Sequence, residues 1–166
     1  VALKPDMAAL NMGSMNYGIY SKKAKKFYHD FIFQNSFTDI QFYLEKMNEA
    51  GTRPEMEVFD NGHVNNAMPF IDMDILKKPY NFSFVMGVLG GLPHSTANIL
   101  HQSRTVPEGS DWQVIGIGRK QWASLAAGIT IYAPAIILSS ILGWSLNLMN
   151  LIVGLLVIIY TVSGGT

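Results

Sequence analysis

The residues of this chain that could do chemistry lie at the ends of predicted strands. Glu55 and Glu57 belong to Pro54–Asp60, whose alternating pattern predicts a strand with both carboxylates on one face. Asn11 stands near the end of an earlier predicted strand, Ala8–Met12. A carboxylate can take or give a proton, and an amide can hydrogen-bond a carbonyl or a carboxylate. The two glutamates either point into a polar cavity or lie in solvent, and the sequence leaves both interpretations open.

A glycine-rich stretch is the second candidate site. Gly87–His94 follows the predicted strand Tyr80–Met86 and precedes a predicted helix. Backbone N–H groups around Gly87, Gly90 and Gly91 could hold a phosphate or a carboxylate. The spacing matches neither a Walker loop nor a dinucleotide-binding fingerprint, so a tight turn without a ligand is the alternative.

The composition argues against cysteine chemistry, metal binding and nucleic-acid binding. The chain has no cysteine, which excludes disulfides, thiolate zinc sites and cysteine nucleophiles. His94 and His101 are seven residues apart, but no carboxylate stands at ligand spacing, so no metal site is predicted. The formal net charge is zero, which gives no general attraction to nucleic acid. Four lysines, at positions 22, 23, 25 and 26, are interpreted as a solvated surface rather than a phosphate-binding patch.

The elements that must position these groups alternate between strands and helices. This order predicts an α/β fold with a parallel sheet and crossover helices. A (β/α)8 barrel needs about 250 residues, so about four strands form either a small open sheet or a partial, incomplete TIM-barrel-like segment. The predicted strands are Ala8–Met12, Pro54–Asp60, Tyr80–Met86 and Trp112–Ile117. Three helices are predicted between and after them. The first begins at Ser36 or Thr38 and ends at Gly51, the second covers His63–Leu76 with a break at Pro69, and the third begins at Ser95 or Thr96.

The end of the chain has a different composition. No charged residue and no histidine lies beyond Lys120. Two apolar runs, Ala123–Leu142 and Leu148–Val162, predict an all-α transmembrane hairpin, because 20 helical residues span a bilayer core of about 30 Å. The expected partner of residues 123–166 is a lipid bilayer, with the Arg119/Lys120 end in the cytoplasm. A buried hairpin in a larger soluble protein is the alternative. The predicted domains are therefore 1–121 and 122–166.

Four motifs resemble the β-keto acid cleavage enzymes, a family that includes 3-keto-5-aminohexanoate cleavage enzyme. The resemblance covers residues 1–121 and implies a zinc-dependent TIM barrel. It also implies that a β-keto acid and acetyl-CoA are the substrates, that acetoacetate and a new acyl-CoA are the products, and that Zn²⁺ polarises the keto carbonyl as a Lewis acid. The motifs are Leu3–Gly18, Pro54–Gly62, Gly87–His94 and Trp112–Arg119.

The resemblance also assigns roles to individual residues. Glu57 corresponds to the family's active-site glutamate, and Ala9 and Asn11 lie at the end of the strand that lines the keto acid pocket. Ala9 stands where some members have a hydroxyl residue. The family's zinc ligands, a His-x-His pair and a Glu followed by Asp, have no counterpart here. The expectation is therefore that no zinc is retained and that this chain alone does not catalyse the cleavage.

A second resemblance concerns the apolar end. Ser124–Thr166 resembles the sodium:solute symporter family, which implies two helices of a transporter whose ion ligands lie elsewhere. The preferred interpretation is a fusion of two gene fragments, with both ends cut from longer sequences and residues 1–121 in the cytoplasm. The alternatives are a membrane-anchored, non-catalytic binding module and a piece of a sodium-coupled transporter.

Overall fold

The computed structural model describes residues 4–162, except for some side chains of the last two helices. It is a mixed α/β structure with a four-stranded parallel sheet in the order β1-β4-β5-β6 and a separate antiparallel hairpin, β2-β3. The four parallel strands confirm the expected β/α segment. The strands are β1 (Met7–Asn11), β2 (Met15–Ser21), β3 (Lys26–Phe33), β4 (Arg53–Val58), β5 (Tyr80–Met86) and β6 (Ser110–Gly116); the helices are α1 (Phe37–Ala50), α2 (Asn61–Asn65), α3 (Met68–Asp72), α4 (Thr96–Thr105), α5 (Gln121–Leu142) and α6 (Leu146–Val162).

The two faces of the parallel sheet differ in chemistry. On one face, a row of apolar side chains in register crosses all four strands, and every member is buried among the helices: Leu10, Met56, Phe82 and Trp112. Burial of each such side chain stabilises the fold by about 1.5–3 kcal/mol. The opposite face carries two polar rows, Ala9–Glu55–Asn81–Asp111 and Asn11–Glu57–Ser83–Gln113. The polar side chains of the sheet therefore lie on the face away from this core.

Helix α1 begins and ends as its sequence predicts. The Asp39 N–H donates to the Ser36 side chain, and the Ser36 N–H donates in return to the Asp39 carboxylate, which closes a capping box. The hydrogen bonds from the Ser36 side chain and backbone lower the pKa of Asp39. Gly51 ends the helix in the left-handed conformation, with φ of 72°.

The predicted helix His63–Leu76 is divided in two. α2 is capped by the Asp60 side chain, which accepts from the His63 N–H, and α3 has Pro69 in its first turn, where a missing N–H costs nothing. The break expected at Pro69 is confirmed, although the first helix begins earlier than predicted.

The β2-β3 hairpin was missed by the sequence analysis. Its base, at Met15 and Phe33, packs on Phe59 and Val85 above the polar face of the sheet. Its tip carries the four lysines, and all four are exposed. The pairing of the two strands shifts register at a bulge between Ile19 and Tyr20.

The C-terminal helices pack on the α/β part of the chain. α5 contacts β6 and α4, and α6 contacts α4 and α5. Gly128 lies against Val114 of β6, and Gly154 lies against Leu100 of α4, so both contacts are made through helical glycines. Among residues 4–162 no helix is long and apolar enough to cross a membrane. The described residues therefore do not support the predicted transmembrane hairpin, and the lipid bilayer expected around it stays a prediction.

Candidate functional site

Glu57 and Asn11 are direct neighbours at the carboxyl ends of β4 and β1. The two residues pair in register, and adjacent strands lie about 4.8 Å apart. Ligands of parallel α/β sheets bind at this end of the strands, where successive strands bring their side chains together. The structure thus places the glutamate and the amide that the sequence singled out in register on one face of the sheet.

The surroundings of Glu57 favour its protonated form. Its partial burial raises the pKa of the carboxyl, and the negative charge of Glu55 raises it further. In the described part of the chain, no lysine, arginine or histidine forms an ion pair with Glu57. A carboxyl with a raised pKa and no cation beside it is suited to exchanging a proton with a ligand.

Glu55 belongs to a hydrogen-bonded network that crosses three strands. One of its carboxylate oxygens accepts from the Ser83 hydroxyl at 2.6 Å and from the Gln113 amide at 2.6 Å. The same Gln113 nitrogen lies 2.9 Å from the Ser83 oxygen and donates to it as well. Sequence reasoning missed Ser83 and Gln113, although polar residues at alternate positions of both strands were a usable signal. These three side chains line a cavity of about 180 Å³ together with Met7, Asn81, Phe82, Asp111 and Trp112.

Asn11 and Ala9 line a groove between β1 and α1. The groove has a volume of about 440 Å³, and Lys46 of α1 also lines it. The side-chain oxygen of Asn11 is buried, and no residue in the described part of the chain hydrogen-bonds to it. Buried polar atoms usually have partners, so a ligand or a water molecule is the natural partner here.

The loop after Asn11 is held in place by side chains from α2 and its C-terminal flank. His63 is 4% exposed; its Nδ1 accepts from the Phe59 N–H at 3.4 Å, and its Nε2 lies 3.3 Å from the Ser14 carbonyl. The Asn66 amide donates to the Met12 carbonyl at 2.8 Å. A Cβ on Gly13 would come within 2.5 Å of the His63 ring. His63 therefore orders this loop and is not directed at a ligand.

The glycine-rich loop forms a separate pocket. Gly87, Gly90 and Gly91 line a space of about 310 Å³ with His94 and Lys120. Gly87 and Gly90 have φ of 91° and 105°, conformations that favour glycine. The His94 ring donates through Nε2 to the Ile117 carbonyl at 2.8 Å. Lys120 also lines this pocket, a role that the sequence did not predict, and its positive charge is suited to an anion.

The residues of this chain do not fit the zinc ion that the resemblance implied. No group of three or more His, Asp or Glu side chains comes together within the described residues. Both ring nitrogens of His63 have protein partners, and Nε2 of His94 has one. Zinc in catalytic sites is held by three such side chains. The chemistry considered below therefore uses only the side chains present.

Comparison with known proteins shows the family of this chain. Residues 1–131 match the model of the beta-keto acid cleavage enzyme family. The chain belongs to this family. It is 33% identical over 143 residues to a 3,5-dioxohexanoate:acetyl-CoA acetone transferase of Paraburkholderia graminis, covering 76% of this chain and 46% of the relative. It is 34% identical over 129 residues to a 3-keto-5-aminohexanoate cleavage enzyme of Fusobacterium nucleatum, covering 78% and 43%. The chain thus spans less than half the length of these relatives.

The family match also corrects two expectations. It continues to residue 131, inside α5, whereas the resemblance was expected to end near Gln121. Neither the match nor the relatives support a sodium:solute symporter segment or a fusion of two inactive fragments. The division into 1–121 and 122–166 stays a prediction.

Proposed function

We propose that this chain binds a β-keto acid for an acetyl-CoA-dependent cleavage. In this reaction the bond between the keto carbon and the carboxymethyl carbon breaks. The carboxymethyl carbon joins the acetyl carbonyl to give acetoacetate, and the CoA sulfur takes the remaining acyl group. The observation that carries the proposal is the pairing of Glu57 with Asn11 at the carboxyl edge of the sheet, in a chain of this family.

Glu57 has the role of proton carrier in this proposal. It takes a proton from the carbon between the two carbonyl groups of the keto acid and holds it until the new acid is complete. A base of this kind works best when its pKa lies nearer to the working pH than that of an ordinary glutamate. Partial burial and the neighbouring Glu55 both move the pKa of Glu57 in that direction.

Asn11 orients the keto acid. Its amide N–H donates to a carboxylate or keto oxygen, and its unpartnered oxygen accepts from a ligand or a water molecule. Ala9, one row below on the same strand, leaves the pocket wall without a hydroxyl group. The pocket then depends on Asn11 for its polar contact from β1.

The glycine-rich pocket is the proposed position of a CoA phosphate. Its backbone conformation at Gly87 and Gly90 and the ammonium of Lys120 support an anion site of this size. Acetyl-CoA appears in the name of the transferase from P. graminis, which supports coenzyme A as the source of the phosphate.

The test is binding of acetoacetate, measured by calorimetry between pH 5 and pH 8. Because protonated Glu57 can donate to the anionic ligand and ionised Glu57 repels it, the wild-type affinity should fall as pH rises. Glu57→Gln should make the affinity independent of pH over this range. Asn11→Ala should weaken binding about 5–10-fold, the loss expected from one hydrogen bond.

The matched control is Glu108→Gln in the loop before β6, which removes the same charge from an exposed position at the opposite end of the strands. It should leave the affinity and its pH dependence unchanged. Equal affinity and equal pH dependence in the wild type and in Glu57→Gln would contradict the proposed role.

A further inference from the structure

Glu55 is fixed next to Glu57 more firmly than an ordinary surface glutamate. Both side chains of β4 lie on the polar face, two residues and therefore about 7 Å apart along the strand. The two hydrogen bonds to Glu55 come from β5 and β6, so the carboxylate is held by three strands at once. Charge-assisted bonds of 2.6 Å are short and strong.

We propose that Glu55 is a positioning residue that acts through Glu57. Ser83 and Gln113 hold the negative charge of Glu55 at a fixed distance from Glu57, and this charge favours a proton on Glu57. Glu55 does not contact the keto acid in this arrangement. The inference rests on the proposed function in one respect, namely that Glu57 exchanges its proton with the keto acid.

The other groups on this face do not offset the charge of Glu55. β1 contributes Ala9 and Asn11, β5 contributes Asn81 and Ser83, and none of these is charged. β6 contributes Gln113 and the carboxylate of Asp111, which is two strands away in the row of Glu55. Beyond the end of β4, Asp60 and His63 contact each other, with 3.9 Å between the carboxylate and the ring. At the hairpin base, Tyr17 packs against the apolar cluster of Met15, Phe59 and Val85.

The effect of Glu55 on Glu57 can be sized from Coulomb's law. Two unit charges about 7 Å apart, with an effective dielectric constant between about 20 and 80, shift a titration midpoint by about 0.4–1.7 pH units. A half-exposed site lies toward the lower end of that range. Asp111 is about 12 Å from Glu57 by strand spacing, and its effect should be less than half as large.

The experiment is an NMR titration of the full chain with ¹³C-labelled glutamate side chains. Glu55→Gln keeps the shape and removes the charge, and it should lower the Glu57 midpoint by about half a pH unit or more. Asp111→Asn is the matched control, because it removes the same charge from the same face, and it should shift the midpoint by less than half as much. Ser83→Ala keeps the charge but releases one hydrogen bond to it, and it should lower the midpoint by a smaller amount than Glu55→Gln.

A merely structural role for Glu55 would leave the Glu57 midpoint where it is. An unchanged midpoint in Glu55→Gln, or an equal shift in Asp111→Asn, overturns the inference. If Glu55→Gln does not fold, an unchanged midpoint in Ser83→Ala overturns it instead. Acetoacetate binding separates this outcome from the proposed function: loss of pH dependence in Glu57→Gln supports the function even if Glu55 has no influence on the midpoint.

Discussion

The contact between the glycine-rich loop and the hairpin can be tested at a single position. Gly90 has φ of 105°, and a Cβ at this position would overlap the backbone carbonyl of Asn16 in β2. Because that neighbour is backbone in a paired strand, it cannot turn aside as a flexible side chain would. Gly90→Ala should therefore displace the base of the hairpin from the loop.

The size of the effect has two parts. An L-residue with positive φ costs about 1–2 kcal/mol, and overpacking against fixed atoms costs about 1–3 kcal/mol. Gly118 provides the matched control: its φ is 86°, and no atom lies within 4 Å of where its Cβ would be. Gly118→Ala should therefore cost about 1–2 kcal/mol and Gly90→Ala about 2–5 kcal/mol. The larger value is a substantial part of the 5–15 kcal/mol typical of a folded domain.

Urea denaturation followed by circular dichroism measures both free energies of unfolding. Hydrogen exchange measures where the structure opens, and in Gly90→Ala faster exchange should concentrate in β2 and β3. If the two variants lose the same free energy within about 0.5 kcal/mol, the close contact with Asn16 is not part of the folded protein and the reasoning fails.

Two further predictions concern the first helix, α1, and the last helix, α6. Ser36→Ala should lower the free energy of unfolding by about 1 kcal/mol at pH 7. Since the pKa of Asp39 is lowered in the folded state, the contribution of its carboxylate is present at neutral pH and lost as pH falls below about 4. The stability difference between variant and wild type in urea titrations should therefore narrow there, but not vanish, because the bond from the Asp39 N–H to the Ser36 hydroxyl does not titrate. Gly154→Ala places a Cβ against the side chain of Leu100, and the overpacking cost of about 1–3 kcal/mol is offset by about 1 kcal/mol of helix propensity, so thermal unfolding should show a loss of up to about 2 kcal/mol. Leu156→Ala at an exposed position should change stability by less than about 0.5 kcal/mol. Equal effects of these two helix variants would contradict the packing of α6 on α4.

The parts of the fold that follow from neighbouring residues could be predicted from the sequence. Helix α1 is one case, because Ser36, Asp39 and Gly51 determine both of its ends through contacts within a few residues. The break at Pro69 is another, because a missing N–H acts locally. The β2-β3 hairpin could not be predicted in this way, since its base is stabilised by Phe59 and Val85, which are distant in sequence.

The candidate site also has a part that could be predicted from neighbouring residues and a part that could not. Alternation within one strand placed Glu55 and Glu57 on one face, and the strand-end rule selected Asn11 and Glu57. The partners of Glu55 could not be found from the sequence, because Ser83 and Gln113 become its neighbours only when the strand order and register are known. The Lys120 ammonium joins the glycine-rich loop for the same reason, across a separation of about thirty residues.

The position of Lys120 relates the change in charge to an element boundary of the fold. Lys120 is the residue that precedes α5, so charge ends where the helix begins. In a β/α unit, the helix after a strand packs back on the sheet, and α5 does so through Gly128 against Val114 of β6. The family match runs through this contact to residue 131. An uncharged helix beside a parallel strand is compatible with a buried neighbour as well as with lipid, and composition alone cannot separate the two. Within the first half of α5, Gly128 packs on β6 whereas Trp122 and Ile129 are exposed, so this part of the helix joins the parallel sheet on one side only.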